Sequence, residues 1–133
     1  MSVAVPAAAE RFALELPADP AYLATARLFA STLARQLEVD EERIEDLKLA
    51  ISEACAAGIR SGAGPVELSA IHRDWRLSFE VNVRGSRKEP APSPAEDMGA
   101  TLGTGLIEAL FEGAEVLDLP DGGQLIRFVV EVT

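Results

Sequence analysis

Few side chains in this sequence carry reactive chemistry, and their neighbours decide what each can do. Glu53 lies in the stretch Ile51-Ser52-Glu53-Ala54-Cys55-Ala56-Ala57-Gly58-Ile59. At helical spacing it stands about 200° around the axis from Ile51, off the apolar stripe and on a face shared with Asp46 and Leu49, where a carboxylate is ordinarily solvated. Gly103-Thr104-Gly105-Leu106 opens a second helical pattern. Two glycines ahead of a helix expose backbone N–H groups that can cradle a phosphate. Cys55 falls on the buried stripe, where a small apolar filler is expected rather than a reactive thiol. His72 has no Cys, Asp or Ser at a spacing that makes a catalytic or metal site, so no metal site is expected.

These groups need elements to position them. Phe12, Leu14 and Leu16 alternate with Ala13 and Glu15 and predict a short strand closed by Pro17. Asp19-Pro20 supplies a cap with proline at the first helical position. Behind it Tyr22, Ala26, Phe29, Leu33 and Leu37 recur at helical spacing, with Arg27 and Arg35 off that stripe, Arg27 turned toward solvent. Val39-Asp40-Glu41-Glu42 caps a second helix, its acids facing the positive end of the dipole. Ile44, Leu47, Ile51, Cys55 and Ile59 form its core stripe, and Gly62, Gly64 and Pro65 end it.

Val66 to Ala70 and Arg76 to Val83 predict antiparallel strands joined by a tight turn at His72-Arg73-Asp74. Trp75, Leu77 and Phe79 follow strand spacing, so Trp75 and Phe79 are expected on a bulky face under the helices. From Arg84 to Ala100 periodicity is lost and a mobile loop is expected. Leu102, Leu106, Ala109 and Leu110 predict a third helix. Val116 to Leu119 and Gln124 to Val132 close the chain as strands around Pro120-Asp121-Gly122-Gly123. The order β, α, α, β, β, loop, α, β, β predicts an α+β fold, a two-layer α/β sandwich with three helices on one face of a mostly antiparallel sheet. Residues 1–10 are expected to form a flexible tail and 11–133 a single domain.

Composition limits what such a domain does. Of 133 residues, 12 are Lys or Arg and 22 are Asp or Glu, a net charge of −10, with 48% hydrophobic and 26% charged residues. That balance is globular rather than disordered. Ten excess negative charges repel phosphate backbones and anionic lipid, so neither direct nucleic-acid binding nor membrane binding is expected. One cysteine excludes an internal disulfide and suits a reducing compartment. No stretch approaches the ~20 apolar residues of a membrane span, and the first ten residues do not look like a signal peptide, so a cytoplasmic location is expected.

The element order, with a glutamate late in the second helix and a glycine-rich turn after a long loop, resembles the GHKL (histidine-kinase-like ATPase, Bergerat-type) fold. More closely it resembles the RsbW-type anti-sigma-factor serine kinases of bacteria, over residues 11–133. Members carry Glu-Ala-x-x-Asn-Ala on that helix. Here Glu53 matches, so the resemblance makes it a remnant of the kinase's general base, while Ala57 stands where the family's Mg²⁺-binding asparagine would be. Members then carry Asp-x-Gly-x-Gly, whose aspartate reads adenine. Here Val83 takes the aspartate position, Gly85 matches the first glycine and Arg87 replaces the second. The Gly-x-Gly-Leu motif is intact at Gly103, Thr104, Gly105 and Leu106, and Arg27 matches a first-helix arginine that contacts sigma factor and antagonist.

The resemblance implies a regulator that binds a sigma factor, an anti-anti-sigma (STAS) protein or both, with the loop from Ser86 to Met98 as lid. Gly85, Gly103, Thr104 and Gly105 are the implied nucleotide-binding residues and Arg27 the partner-binding one. With Ala57 and Val83 lacking a metal ligand and an adenine acceptor, no cofactor is expected, or only weak ATP·Mg²⁺ binding. A working serine kinase with an atypical pocket is the alternative, and a scaffold that binds no nucleotide a further one. The acids Glu41, Glu42, Glu45 and Asp46 are a second surface for a basic partner helix, and a homodimer is a further expectation.

Overall fold

Alternating apolar residues build one sheet, and every strand turns the same kind of side chain to the same side. The computed structural model describes residues 9–85 and 105–132. In chain order the elements are β1 (Glu10–Leu16), a 3₁₀ turn (Pro20–Tyr22), α1 (Leu23–Gln36), α2 (Glu41–Ser61), β2 (Val66–Arg73) and β3 (Arg76–Val83). A short helix over 105–110, α3, is followed by β4 (Glu115–Asp118) and β5 (Gln124–Glu131). The strands lie in the order β1-β2-β3-β5-β4, and each neighbouring pair is antiparallel. Leu14, Leu68, Val81, Ile126 and Val116 stand in register across all five strands, an apolar row that the helices cover.

The helices pack on that side only, giving the two layers that the element order predicts. Ile44, Leu47, Ala50, Ile51 and Ala54 of α2 are fully buried, as are Ala26, Ala30 and Ala34 of α1, whose small side chains let the two helices approach closely. Full burial of a side chain such as Ile51 is worth about 1.5–3 kcal/mol. Phe111, just after α3, tilts against Phe128 at 4.9 Å between ring centroids, and Phe128 stacks on Phe79 at 5.6 Å. These aromatic contacts dock the third helix on the centre of the sheet.

Several expectations need correction. Asp19 does cap the first turn, its Oδ1 accepting from Ala21 N at 2.9 Å, but that turn is 3₁₀. Its tighter winding rotates Tyr22 off the stripe, leaving it 40% exposed. The first strand runs Glu10–Leu16, and residues 1–8 of the expected tail lie outside the described residues. His72 and Arg73 belong to β2, and the hairpin turn is Asp74-Trp75, with Asp74 at φ 55°. Trp75 is therefore in a turn and not on the inward face of β3, and it is 70% exposed. In the third helix Ile107 is the buried position, Phe111 just after it is buried too, and Ala109 faces solvent. Leu102 and the loop from Ser86 to Met98 lie outside the described residues.

Candidate functional site

The site side of the molecule is one ridge of α2. Arg43, Asp46, Ala50, Glu53 and Ala57 follow one another at spacings of three and four and so line a single flank. Arg43 anchors that flank to the third helix: its Nη1 donates to Leu110 O at 2.7 Å, pairs with Asp46 at 3.3 Å, and its guanidinium lies 4.1 Å from the Phe111 ring centroid. Glu53 and Ala57 continue the ridge, both half-buried. Glu53 is thus neither in the core nor on the fully solvated surface. The Ala57 methyl offers no lone pair to a cation.

Beside this flank the end of β3 is held on two sides. The Ser61 hydroxyl, in the last turn of α2, donates to Arg84 O, and Arg84 Nη2 pairs with Glu67 Oε1 at 3.0 Å. Val83 points into the helix-covered core and is 3% exposed. Its isopropyl group can accept no hydrogen bond. Gly85 packs against the 120–123 turn so closely that a Cβ would lie 2.2 Å from Gly123 N and 2.3 Å from Asp121 O. The fold itself therefore requires glycine there. Gly105 is different, because a Cβ on it would meet nothing within 4 Å among the described residues. Gly103 and Thr104 lie outside the described residues.

Arg27 is not turned to open solvent as the wheel of α1 predicts. It is half-buried, and its Nη1 donates at 3.1 Å to Ser52 Oγ, which in turn donates to Lys48 O at 2.9 Å. Ser52 lies on the opposite flank of α2 from Ala57, so the structure does not bring Arg27 together with Glu53. Cys55 is buried among apolar groups, and burial pushes its thiol up to about 11. His72 sits 3.9 Å from Glu10 and contacts Asp74 O at 3.0 Å, and no group of three metal-ligating side chains occurs among the described residues. No helix among the described residues is long and apolar enough to cross a membrane.

Sequence reasoning missed two features. Arg43 reaches across 67 positions to Leu110, a contact with no local signal. The uncovered face of the sheet also forms a concavity of about 440 Å³, lined by Glu15, Glu67, Ser69, Glu80, Asn82 and Leu125 among others. It lies behind the sheet from Glu53, so it belongs to a different surface.

Comparison with known proteins agrees with this architecture. Residues 16–130 match the histidine kinase-like ATPase domain family. Serine-protein kinase RsbW of Bacillus subtilis (strain 168) is 36% identical over 125 residues, spanning 81% of this chain and 78% of that protein. Serine-protein kinase RsbW of Bacillus velezensis is 29% identical over 120 residues, 77% of this chain and 75% of that protein. The RsbW of Listeria innocua serovar 6a is 39% identical over 77 residues, which is 49% of its length. A crystal structure of RsbU and RsbW domains from Mycobacterium tuberculosis shares the fold with a TM-score of 0.71 at 19% identity, over 92% of this chain and 32% of that one. The element order, the sheet topology and these matches together make the chain a member of the histidine kinase-like ATPase domain (GHKL) family, of the RsbW-like kind.

Proposed function

We propose that this chain is an anti-sigma-factor-like regulatory protein that binds a sigma factor, an anti-anti-sigma protein or both, and that its nucleotide site is degenerate. The observation that carries the reading is Val83, almost fully buried where the family's adenine reader belongs. Ala57, on the same ridge as Glu53, adds the loss of a metal ligand. Each missing polar contact costs a ligand about 1–3 kcal/mol, so two weaken ATP·Mg²⁺ by roughly 10² or more. Glu53 remains as a carboxylate without the anchors that would hold a phosphoryl group in line. Calorimetric titration of the purified chain with ATP·Mg²⁺ should give no binding tighter than millimolar. Micromolar affinity would overturn the degenerate reading and favour the working kinase, for which the retained Glu53 and the unobstructed Gly105 speak.

Partner binding is proposed on α1 and the adjoining face of α2. There Arg27 is followed along α1 by Leu28, 63% exposed, and reaches Ser52 on α2. An arginine beside apolar groups is a common energetic centre of an interface. Arg27→Ala should lower affinity for the cognate sigma factor at least tenfold in a titration. Ser52→Ala serves as control, since it removes the intramolecular acceptor and leaves the guanidinium to the partner. Equal losses in the two variants would assign Arg27 to helix packing alone.

A further inference from the structure

The tip of the β2–β3 hairpin is built against the preferences of a hairpin. Trp75 occupies the second place of a two-residue turn whose positive φ, 55°, falls on Asp74, so the backbone makes no demand for a tryptophan there, and its side chain is left in solvent. The chain's single tryptophan therefore gives nothing to the core. Flanking it, Arg73 and Arg76 face each other in register as the first pair of the ladder, and both are exposed. Like charges directly opposite one another destabilise a strand pair. Arg11, paired with Ile71, lies on the same uncovered face of the sheet two positions from Arg73. Glu131 stands opposite Arg76 on β5, yet among the described residues none of the three arginines forms an ion pair. In a chain of net charge −10, these three arginines, without an ion pair among the described residues, outnumber the acids of the turn and of the facing strand end, Asp74 and Glu131, around an exposed indole. Local rules broken together at one place mark a functional position rather than a structural one.

We infer that this tip is a docking site for an acidic, partly apolar segment of a protein partner, separate from the α1 surface and from the nucleotide-type ridge. The indole supplies a rigid apolar anchor of low conformational entropy, and the two facing guanidiniums can each fork onto a carboxylate of the segment. Extended nucleic acid fits less well, because the remaining net charge of the domain repels a polyanion beyond the three arginines.

Trp75 is its own reporter, since no other tryptophan contributes to emission. The full chain should be titrated at low salt with a synthetic twelve-residue peptide alternating Glu and Leu, with a Lys and Leu counterpart and with a single-stranded oligonucleotide. The expected result is a saturable blue shift with the acidic peptide alone, weakened at least tenfold in the Arg73→Ser/Arg76→Ser variant and by physiological salt, and unchanged in Arg27→Ala. Calorimetry on Trp75→Gly should show the same peptide no longer binding. The Arg73→Ser/Arg76→Ser variant should melt at or above the parent, because a like-charge pair has been removed, and Trp75→Gly should melt close to it, because the exposed indole lies outside the core. A response to the Lys peptide or the oligonucleotide equal to the acidic one, retention of binding in the double variant, or a lowered melting temperature would each overturn the inference. Because Arg27→Ala is carried in parallel, failure here is distinguishable from failure of the proposed α1 surface.

Discussion

Alanine at Gly85 and at Gly105 separates a glycine the fold needs from one it does not. A Cβ at Gly85 would stand 2.2 Å from Gly123 N, 2.3 Å from Asp121 O and 2.3 Å from Gly122 C. All three are backbone atoms, so no side-chain rotation relieves the overlap. Ordinary contact begins at 3.4 Å, and the 120–123 turn would have to retreat by about 1 Å. That turn is held by Leu119 N to Gly123 O at 2.9 Å, Gly122 N to Leu119 O at 3.0 Å and Gly123 N to Asp121 Oδ1 at 2.8 Å. Losing two of these at about 1 kcal/mol each, with about 1–3 kcal/mol of overpacking, puts Gly85→Ala at roughly 3–5 kcal/mol. In a domain of this size that lowers Tm by roughly 10–20 °C. Gly105→Ala meets no neighbour among the described residues and should be neutral or gain a few tenths of a kcal/mol, about the helix preference of alanine. Urea unfolding followed by far-UV circular dichroism measures both. A Gly85→Ala cost below 1 kcal/mol would refute the packing argument, and a Gly105→Ala cost above 2 kcal/mol would show that the fold, rather than a ligand, keeps glycine there.

Three further outcomes follow from the same contacts. Cys55 should make the protein less stable in alkali: its thiol is neutral to about 11 in the folded state against 9.0 when free, so unfolding releases a proton between those values. Stability should be level below about pH 9 and fall by about 2–3 kcal/mol by pH 11, a slope that Cys55→Ala removes in parallel denaturant titrations. Arg43→Ala should cost about 2 kcal/mol, from a charged hydrogen bond to Leu110 O and the contact on Phe111, with little from the half-exposed Asp46 pair. A melting temperature within 2 °C of the parent would dismiss that clamp. Val83→Asp should cost about 3 kcal/mol or more by placing a carboxyl in the core, and ATP·Mg²⁺ should raise the melting temperature only when Ala57→Asn accompanies it. No response of the double variant to nucleotide would put the correspondence of positions 57 and 83 with the family's motif in question.

The contrast between residues that were legible and those that were not follows from the range of the forces involved. Ile44, Leu47, Ile51 and Cys55 of α2, and the alternating residues of β1, β2, β3 and β5, are placed by period and burial, which a sequence displays directly. Tyr22 and Trp75 were misplaced because each lies one residue outside a regular element, in a 3₁₀ turn and a hairpin turn, where the period no longer applies. Glu53 was correctly put off the core stripe, since that too is local geometry. Motif and helical spacing could not show the contacts of Gly85 and Arg27: Gly85 is fixed by a turn far along the chain, and Arg27 by a serine on another helix.

The Arg27 contact also bears on how independently the two flanks of α2 can vary. Ser52 and Glu53 are adjacent in sequence, yet about 100° per residue sends them to opposite flanks of α2. One flank carries Arg27 through Ser52; the other carries Arg43, Asp46, Glu53 and Ala57, with Arg43 reaching the third helix at Leu110. The buried stripe of Leu47, Ala50, Ile51 and Ala54 runs between them and keeps the helix in place whatever the flanks contain. Ala57 and Val83 can therefore lose ligand chemistry with no strain passed to Arg27, because neither touches the residues that hold it. Residues without shared partners contribute independently. A helix whose core stripe secures it leaves each flank free to change on its own, so substitutions on the Glu53 flank and on the Arg27 flank should have additive effects on stability.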